Sequence, residues 1–330
     1  MLIFSTTLLL LSLTLIVSNV FGNTFTNPIV ESAPDPWMQY YKGYYYMSAT
    51  PGGNTIRIRK SKTLDGLRTA TNQVVFNHTL HNTWAPEFHL INDKWYLYYT
   101  AGATGNLNSQ RIHVAESQGD DPMGPYHFKA DLHDPKENGW AIDPSIITIN
   151  KHLYLLGSFQ TPGLQDLFIM PLANPWTPSG SKILLSSPLL SWERSGTTIA
   201  VNEGPEALQH NNKTFIVYSA SFCGTADYKL GLLELTGTDP MNPKHWHKHP
   251  QPYFVRNDSV HVYGPGHNGF FRSPDGHEDW IVYHANDKQE YGCDHHRSSR
   301  AKRFGWNSNG TPNFGTPDQA GVRLTSPSGE

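Results

Sequence analysis

Six side chains able to exchange protons or bind cations stand beside prolines at recurring places in the chain. Asp35 and Asp143 directly precede Pro36 and Pro144, and Glu203 lies two residues before Pro205. Glu87 and Glu206 directly follow Pro86 and Pro205, and His267 lies two residues after Pro265. Carboxylates gathered in a wet funnel could serve three ends. They could bind a hard cation through oxygen, or form a structural polar network. They could also divide the work of cleaving a glycosidic bond, one acid protonating the leaving oxygen while a carboxylate activates water.

Such a gathering needs a fold that brings distant residues together, and the chain repeats itself. Five segments align: "DPWMQYYKGYYYMSA" from Asp35, "APEFHLINDKWYLYYTA" from Ala85, "DPSIITINKHLYLLGS" from Asp143, "GPEALQHNNKTFIVYSA" from Gly204 and "GPGHNGFFRSPDGHEDWIVYHA" from Gly264. Their prolines are 50, 58, 61 and 60 residues apart. Each copy reads as strand, tight polar turn, strand, with turns such as Lys42-Gly43, Asn92-Asp93 and Asn211-Asn212. Runs between copies, such as Ile56 to Ser61 and Arg111 to Ser117, supply outer strands. No helical period is sustained. A β-rich repeat of this length predicts an all-β, five-bladed propeller over residues 23–330, one catalytic domain. The motif position of every copy then meets the others at one mouth of a central channel. Period-2 alternation predicts that Glu203 and Glu206 point to opposite faces if that strand is regular.

Composition narrows the setting. Leu8 to Val17 is a short apolar run, and Val20-Phe21-Gly22 offers a cleavage site before Asn23, so residues 1–22 read as a secretory signal peptide. No later run is apolar enough to span a bilayer, and the expectation is a soluble, extracellular protein. A net charge of −3 leaves no basic face for nucleic acid. Aromatic residues make up 12% of the chain; their ring faces suit sugar-binding walls, and equally suit strand formation. The two cysteines, Cys223 and Cys293, are a candidate disulfide in an oxidising compartment. Sequons at Asn77, Asn212, Asn257 and Asn309 are glycosylation candidates.

The wording of the motifs goes further. "APDPWM" with "YYYM", then "WAPEFHLINDKWYLYYTAG", "AIDPSII", "NEGPEAL", "YGPGHNGFF" and "WNSNGTPNFGTP" follow in order over essentially the whole mature chain. Together they resemble glycoside hydrolase family 43. The resemblance implies a five-bladed propeller that hydrolyses arabinose- or xylose-containing plant polysaccharides with inversion. By motif it implies Asp35 as general base, Glu203 as general acid and Asp143 as the carboxylate that orients the acid and raises its pKa. Glu206, in register with Glu87, is left a supporting role. His267 matches a histidine that helps hold an axial ion, usually calcium; no cofactor is implied for the chemistry itself. Arg297 aligns with a sugar-contacting arginine, with Arg300 its near competitor, and Trp37 and Trp84 are candidate sugar platforms. The wording favours an α-L-arabinofuranosidase or exo-arabinanase acting as a monomer on plant cell-wall poly- or oligosaccharide. A β-xylosidase on the same scaffold and a non-catalytic sugar-binding propeller are the alternatives.

Overall fold

The computed structural model describes residues 23–196 and 199–330; the expected signal peptide, residues 1–22, lies outside them. The described residues are all-β, relieved only by short 3₁₀ turns. Five antiparallel units follow one another. Unit I comprises Trp37–Tyr41, Tyr44–Ser48, Thr55–Ser61 and Gln73–Asn77. Unit II comprises His81–Ile91, Lys94–Gly102, Arg111–Ser117 and Tyr126–Leu132. Unit III comprises Ala141–Ile149, His152–Thr161, Leu164–Asn174 and Ile183–Ser186. Unit IV comprises Ala200–His210, Lys213–Ala220, Lys229–Leu235 and Trp246–Lys248. Unit V comprises Tyr263–Arg272, Asp279–Asn286, Ser298–Trp306 and Pro312–Asn313. The outer strands expected at Ile56–Ser61 and Arg111–Ser117 are both present.

The turns explain the regularity. Lys42-Gly43, Asn92-Asp93, Asn150-Lys151 and Asn211-Asn212 all have positive φ at both residues. That is the requirement of a two-residue type I′ hairpin, whose twist matches the strands it joins. Unit V instead uses a longer turn, closed by the Ser273 N–H on the Glu278 carbonyl at 3.0 Å.

Period-2 alternation then divides each second strand between two neighbours. Leu97 and Tyr99 of unit II pack with Tyr46 and Ile58 of unit I, while Tyr96 and Tyr98 pack with Leu155 and Phe168 of unit III. The same division repeats between units III and IV, IV and V, and V and I. Each such side chain contributes about 1.5–3 kcal/mol relative to exposure. The first strands of the units touch in the cyclic order I–II–III–IV–V–I. The short polar tail after the fifth copy is also structural: Arg323–Thr325 pairs with Thr24–Thr26, joining the two ends of the described chain.

Candidate active site

The site begins with a backbone peculiarity. The residue before each repeat proline has a left-handed backbone: Asp35 (φ 54°), Ala85 (42°), Asp143 (55°), Gly204 (52°) and Gly264 (55°). A residue before proline normally lies in the extended region, and a left-handed non-glycine residue costs about 1–3 kcal/mol. Something must hold it there.

Polar side chains from the neighbouring units do so. Thr50 Oγ1 of unit I accepts the Ala85 N–H at 2.8 Å, and Thr100 Oγ1 of unit II accepts the Asp143 N–H at 3.1 Å. Ser219 Oγ of unit IV accepts the N–H of His267, itself left-handed, at 2.7 Å. His284 Nδ1 of unit V accepts the Asp35 N–H at 3.1 Å. At the remaining junction the Gly204 N–H donates to Asp143 Oδ2 at 3.0 Å, and Ser158 Oγ donates to the Asn202 carbonyl at 2.8 Å. These residues close, or directly follow, the second strand of each unit. The sequence carries their signal: Thr50 in "MSAT", Thr100 in "YYTA", Ser158 in "LGSF", Ser219 in "YSAS" and His284 in "YHAN". Small polar residues and histidine at a strand end are common, so this signal gains meaning only from the contacts it makes across units.

The ladder slips beside the prolines, between Trp84 and Glu87, Ile142 and Ser145, and Glu203 and Glu206. A bulge re-aims side chains. The expectation of opposite faces for the two glutamates of unit IV holds only for a regular strand, and the slipped register with left-handed Gly204 between them removes that premise. Each glutamate interacts electrostatically with Asp143. Gly204 also has to be small, because a Cβ there would lie 3.2 Å from the His267 ring.

Asp35 is buried and fully engaged. Its Oδ2 accepts from Thr50 Oγ1 at 2.7 Å, and its Oδ1 accepts from Arg297 Nη1 at 2.8 Å. His267 Nδ1 stands 3.4 Å from the same Oδ1. Burial by itself would raise this carboxyl, but Arg297 and His267 outweigh it and hold it well below the usual range. Burial holds His284 itself down to about 4, so it is neutral and free to accept the Asp35 N–H.

Glu203 lives differently. Burial raises its pKa, opposed by His267, Gln165 and Tyr228. Tyr228 Oη donates to its Oε1 at 2.9 Å and Gln165 Nε2 to its Oε2 at 2.8 Å. The Tyr228 ring stacks on His284, with centroids 5.5 Å apart and planes 4° apart, so one pair of rings links Glu203's holder to Asp35's. Gly266 makes room for it: a Cβ there would lie 2.4 Å from the Tyr228 ring. Asp143 is raised to about 7 by burial and by Glu203 and Asp35, against the pull of His267.

Deeper along the strands, Glu206 accepts from Ser145 Oγ at 3.3 Å and is raised well above the carboxylate range by burial and by hydrogen-bonded Glu87. Glu87 Oε2 lies 2.7 Å from His89 Nε2. His267 sits amid the acids: burial lowers its pKa, but Asp35, Asp143, Glu203 and Glu87 override that and raise it. For the expected ion the donors fit poorly. Calcium takes six to eight oxygens, whereas His267 offers nitrogen. Among the described residues the one group with three ligand-type atoms close together is Asp294, His295 and His296, elsewhere.

The remaining expectations fall out as follows. Trp37 is a correction: it is 7% exposed, its indole N–H donates to the Phe88 carbonyl, and His89 lies against its ring at 4.6 Å. It packs in the core between units I and II and presents no free ring face. Trp84 is half-buried at the start of the unit II motif. Arg297 reaches the site, where its partner is Asp35. Arg300 is wholly buried and pairs with Asp287. Cys223 and Cys293 are bonded, with Cα atoms 5.2 Å apart. They tie the loop carrying Tyr228 to the segment carrying Arg297. Asn77, Asn212 and Asn309 are exposed, and Asn257 is half-buried.

The family model described as glycosyl hydrolases family 43 matches residues 25–312. The chain belongs to glycosyl hydrolase family 43. This family-43 chain is 38% identical to the extracellular exo-α-(1→5)-L-arabinofuranosidase of Streptomyces avermitilis, over 91% of this chain and 65% of that protein. It is 34% identical to α-L-arabinofuranosidase 43 of Humicola insolens, over 89% of this chain and 63% of that protein. It thus spans slightly under two thirds of each. The α-L-arabinofuranosidase structure from Lactobacillus brevis superposes with a TM-score of 0.84 at 31% identity, covering 90% of this family-43 chain and 98% of that one.

Proposed function

We propose that the chain is a secreted, inverting glycosidase of the α-L-arabinofuranosidase type, releasing L-arabinofuranose from the ends of arabinan or arabinose-substituted plant polysaccharide. One observation carries the reading: within a single buried cluster, Asp35 is pushed towards its ionised form while Glu203 is pushed towards its protonated form. Opposed settings of this kind assign base and acid. Asp35 takes a proton from water as the water oxygen attacks the anomeric carbon. Glu203 gives its proton to the departing sugar oxygen, and the product has the opposite anomeric configuration. The mechanism calls for carboxylates about 6.5–9.5 Å apart, leaving room for that water. Asp143, bonded to the Gly204 N–H beside Glu203, orients the acid and raises its proton affinity. Arg297 and Trp84 are the proposed sugar contacts. The names of the relatives support arabinofuranose as the sugar.

The five units are proposed as blades of a closed propeller; the cyclic contacts of their first strands and the core shared by each neighbouring pair support this. Secretion rests on the leader-like residues 1–22 and on relatives named extracellular. No described helix is long and apolar enough to cross a membrane. Glycans on the exposed sequons and a monomeric state belong to the same proposal. So does an ion at His267, which would be held by the imidazole and water and not by a protein cage. Exhaustive chelation should then lower the melting temperature, and calcium should restore it; an unchanged melting temperature removes the ion.

The deciding assay compares nitrophenyl α-L-arabinofuranoside, nitrophenyl β-D-xyloside and linear arabinan, with the anomeric configuration of the first product followed by NMR. Cleavage of the arabinosides with inversion is expected. Preference for the xyloside, or retention, overturns the reading.

A further inference from the structure

A second cluster of ligating side chains stands outside the carboxylate site. Asp294, His295 and His296 follow Cys293 and precede Arg297, and all three are exposed. One ligand atom from each lies within 4.8 Å of the other two. Asp294 Oδ1 is 2.9 Å from His296 Nδ1 and accepts the His296 N–H at 2.9 Å, so aspartate and imidazole are already oriented together. The Tyr291 ring stacks on His296 at 4.0 Å, and His295 lies 4.1 Å from His296 on the ring-to-ring measure.

We propose that Asp294, His295 and His296 form a site for one borderline divalent transition ion of the zinc class. The donor set decides the class. Two imidazole nitrogens and one carboxylate suit zinc or cobalt, whereas calcium and magnesium prefer oxygen. Tetrahedral bonds of about 2.0–2.1 Å place neighbouring ligands roughly 3.4 Å apart. The observed ligand atoms, within 4.8 Å of one another, stand close to that spacing. Exposure leaves the fourth position to water.

The place of the site gives binding a consequence. Arg297 donates to the Asp294 carbonyl at 3.3 Å and the Cys293 carbonyl at 3.4 Å, and Cys293 is bonded to Cys223. An ion there would stiffen the turn that immediately precedes Arg297, which the disulfide anchors to the Cys223 loop. The three ligands are consecutive, so occupancy stabilises the fold by mass action only to the extent that the fold holds them in tighter convergence than the unfolded chain does.

The test titrates zinc chloride into chelator-treated, dialysed full-length protein by calorimetry, with the melting temperature read in parallel and cobalt(II) absorption as a spectroscopic probe. Saturable binding of one ion, a melting temperature that climbs with zinc, and a cobalt band unaffected by millimolar calcium are expected. The double variant His295→Ala/His296→Ala should bind at least about 10-fold more weakly, the lower end of what loss of even an outer-sphere partner costs. Should the double variant fail to fold, Asp294→Asn and His295→Gln singly carry the same comparison. Equal zinc affinity in parent and variants, absence of saturable binding, or displacement of cobalt by calcium overturns the site.

Discussion

Two acidic pairs lie at or beside the first strands of units I, II and IV and are handled in opposite ways. Asp35 and Glu203, at the strand starts, are each held by one group of their own unit and one from another: Thr50 and Arg297 donate to Asp35, Tyr228 and Gln165 to Glu203. Glu87 and Glu206, past the prolines, turn to each other, to Ser145 and to His89. The first pair is set to opposite protonation preferences, while the second is a hydrogen-bonded carboxyl pair with Glu206 pushed towards its neutral form. Similar residue types thus carry the proposed chemistry in one place and the proposed cohesion in the other. What each carboxyl faces makes the difference: Arg297 and hydrogen-bond donors in the first pair, a second carboxyl in the other.

The comparison breaks most visibly at Asp35. Asp35→Ala should lower kcat/KM on every substrate by roughly 10²–10⁴-fold, the range of general base catalysis, because water must be activated whatever leaves. Steady-state rates on aryl arabinosides and arabinan check this, and a variant with near-parental rates removes Asp35 as the base.

Glu203→Ala should lose a similar factor on arabinan, whose leaving alkoxide needs a proton, and much less on aryl glycosides with acidic phenols. A plot of rate against phenol pKa should be steep for this variant. A flat plot here, with a steep one for a Glu206 variant, would exchange the roles of the two glutamates.

The disulfide joins the Tyr228 loop to the Arg297 segment and so couples the holders of Glu203 and Asp35. Its sequence separation is 70, and in the chain-entropy model a loop of that size is worth about 4 kcal/mol. Cys223→Ala/Cys293→Ala should lower denaturant stability by that order. Thiol titration of the unreduced, unfolded parent should find no free thiol.

The smallest effect is expected at the deeper pair. Glu206→Ala should cost about 1–3 kcal/mol, the range for stranding buried hydrogen-bond partners, while keeping the parent's dependence on leaving group. The pH sign follows from the raised folded-state pKa of Glu206. Its contribution is fully present below the unfolded-state value and is lost as pH rises towards the folded one. Glu206→Gln, which cannot ionise, should therefore lose less stability than the parent across that interval. Urea midpoints measured at several pH values compare them, and parallel curves would mean that Glu206 is not held neutral.

Much of this was legible in the chain. The five proline motifs, the type I′ turn residues and the alternating aromatic strands are local signals, since turn chemistry and period-2 burial act over a few residues. They identified the units, and with them the acids that could meet. The burial of Trp37 and the irregular backbone between Glu203 and Glu206 were not legible, because the first depends on the neighbouring unit and the second on a slipped ladder, and a regular strand is only the default.

The sequence by itself determined the repeat, the carboxylates at its motif position, the cysteine pair and the resemblance to family 43. These depend on residue identity and spacing alone. Only the tertiary structure decided that Tyr228, Gln165, Thr50 and His284 hold the acids. It alone decided that Arg297 lies on Asp35 and that His267 stands among four carboxylates. Proton affinity in a buried cluster is set by charges and donors within a few ångströms, and here those partners come from strands up to 262 residues away in the chain.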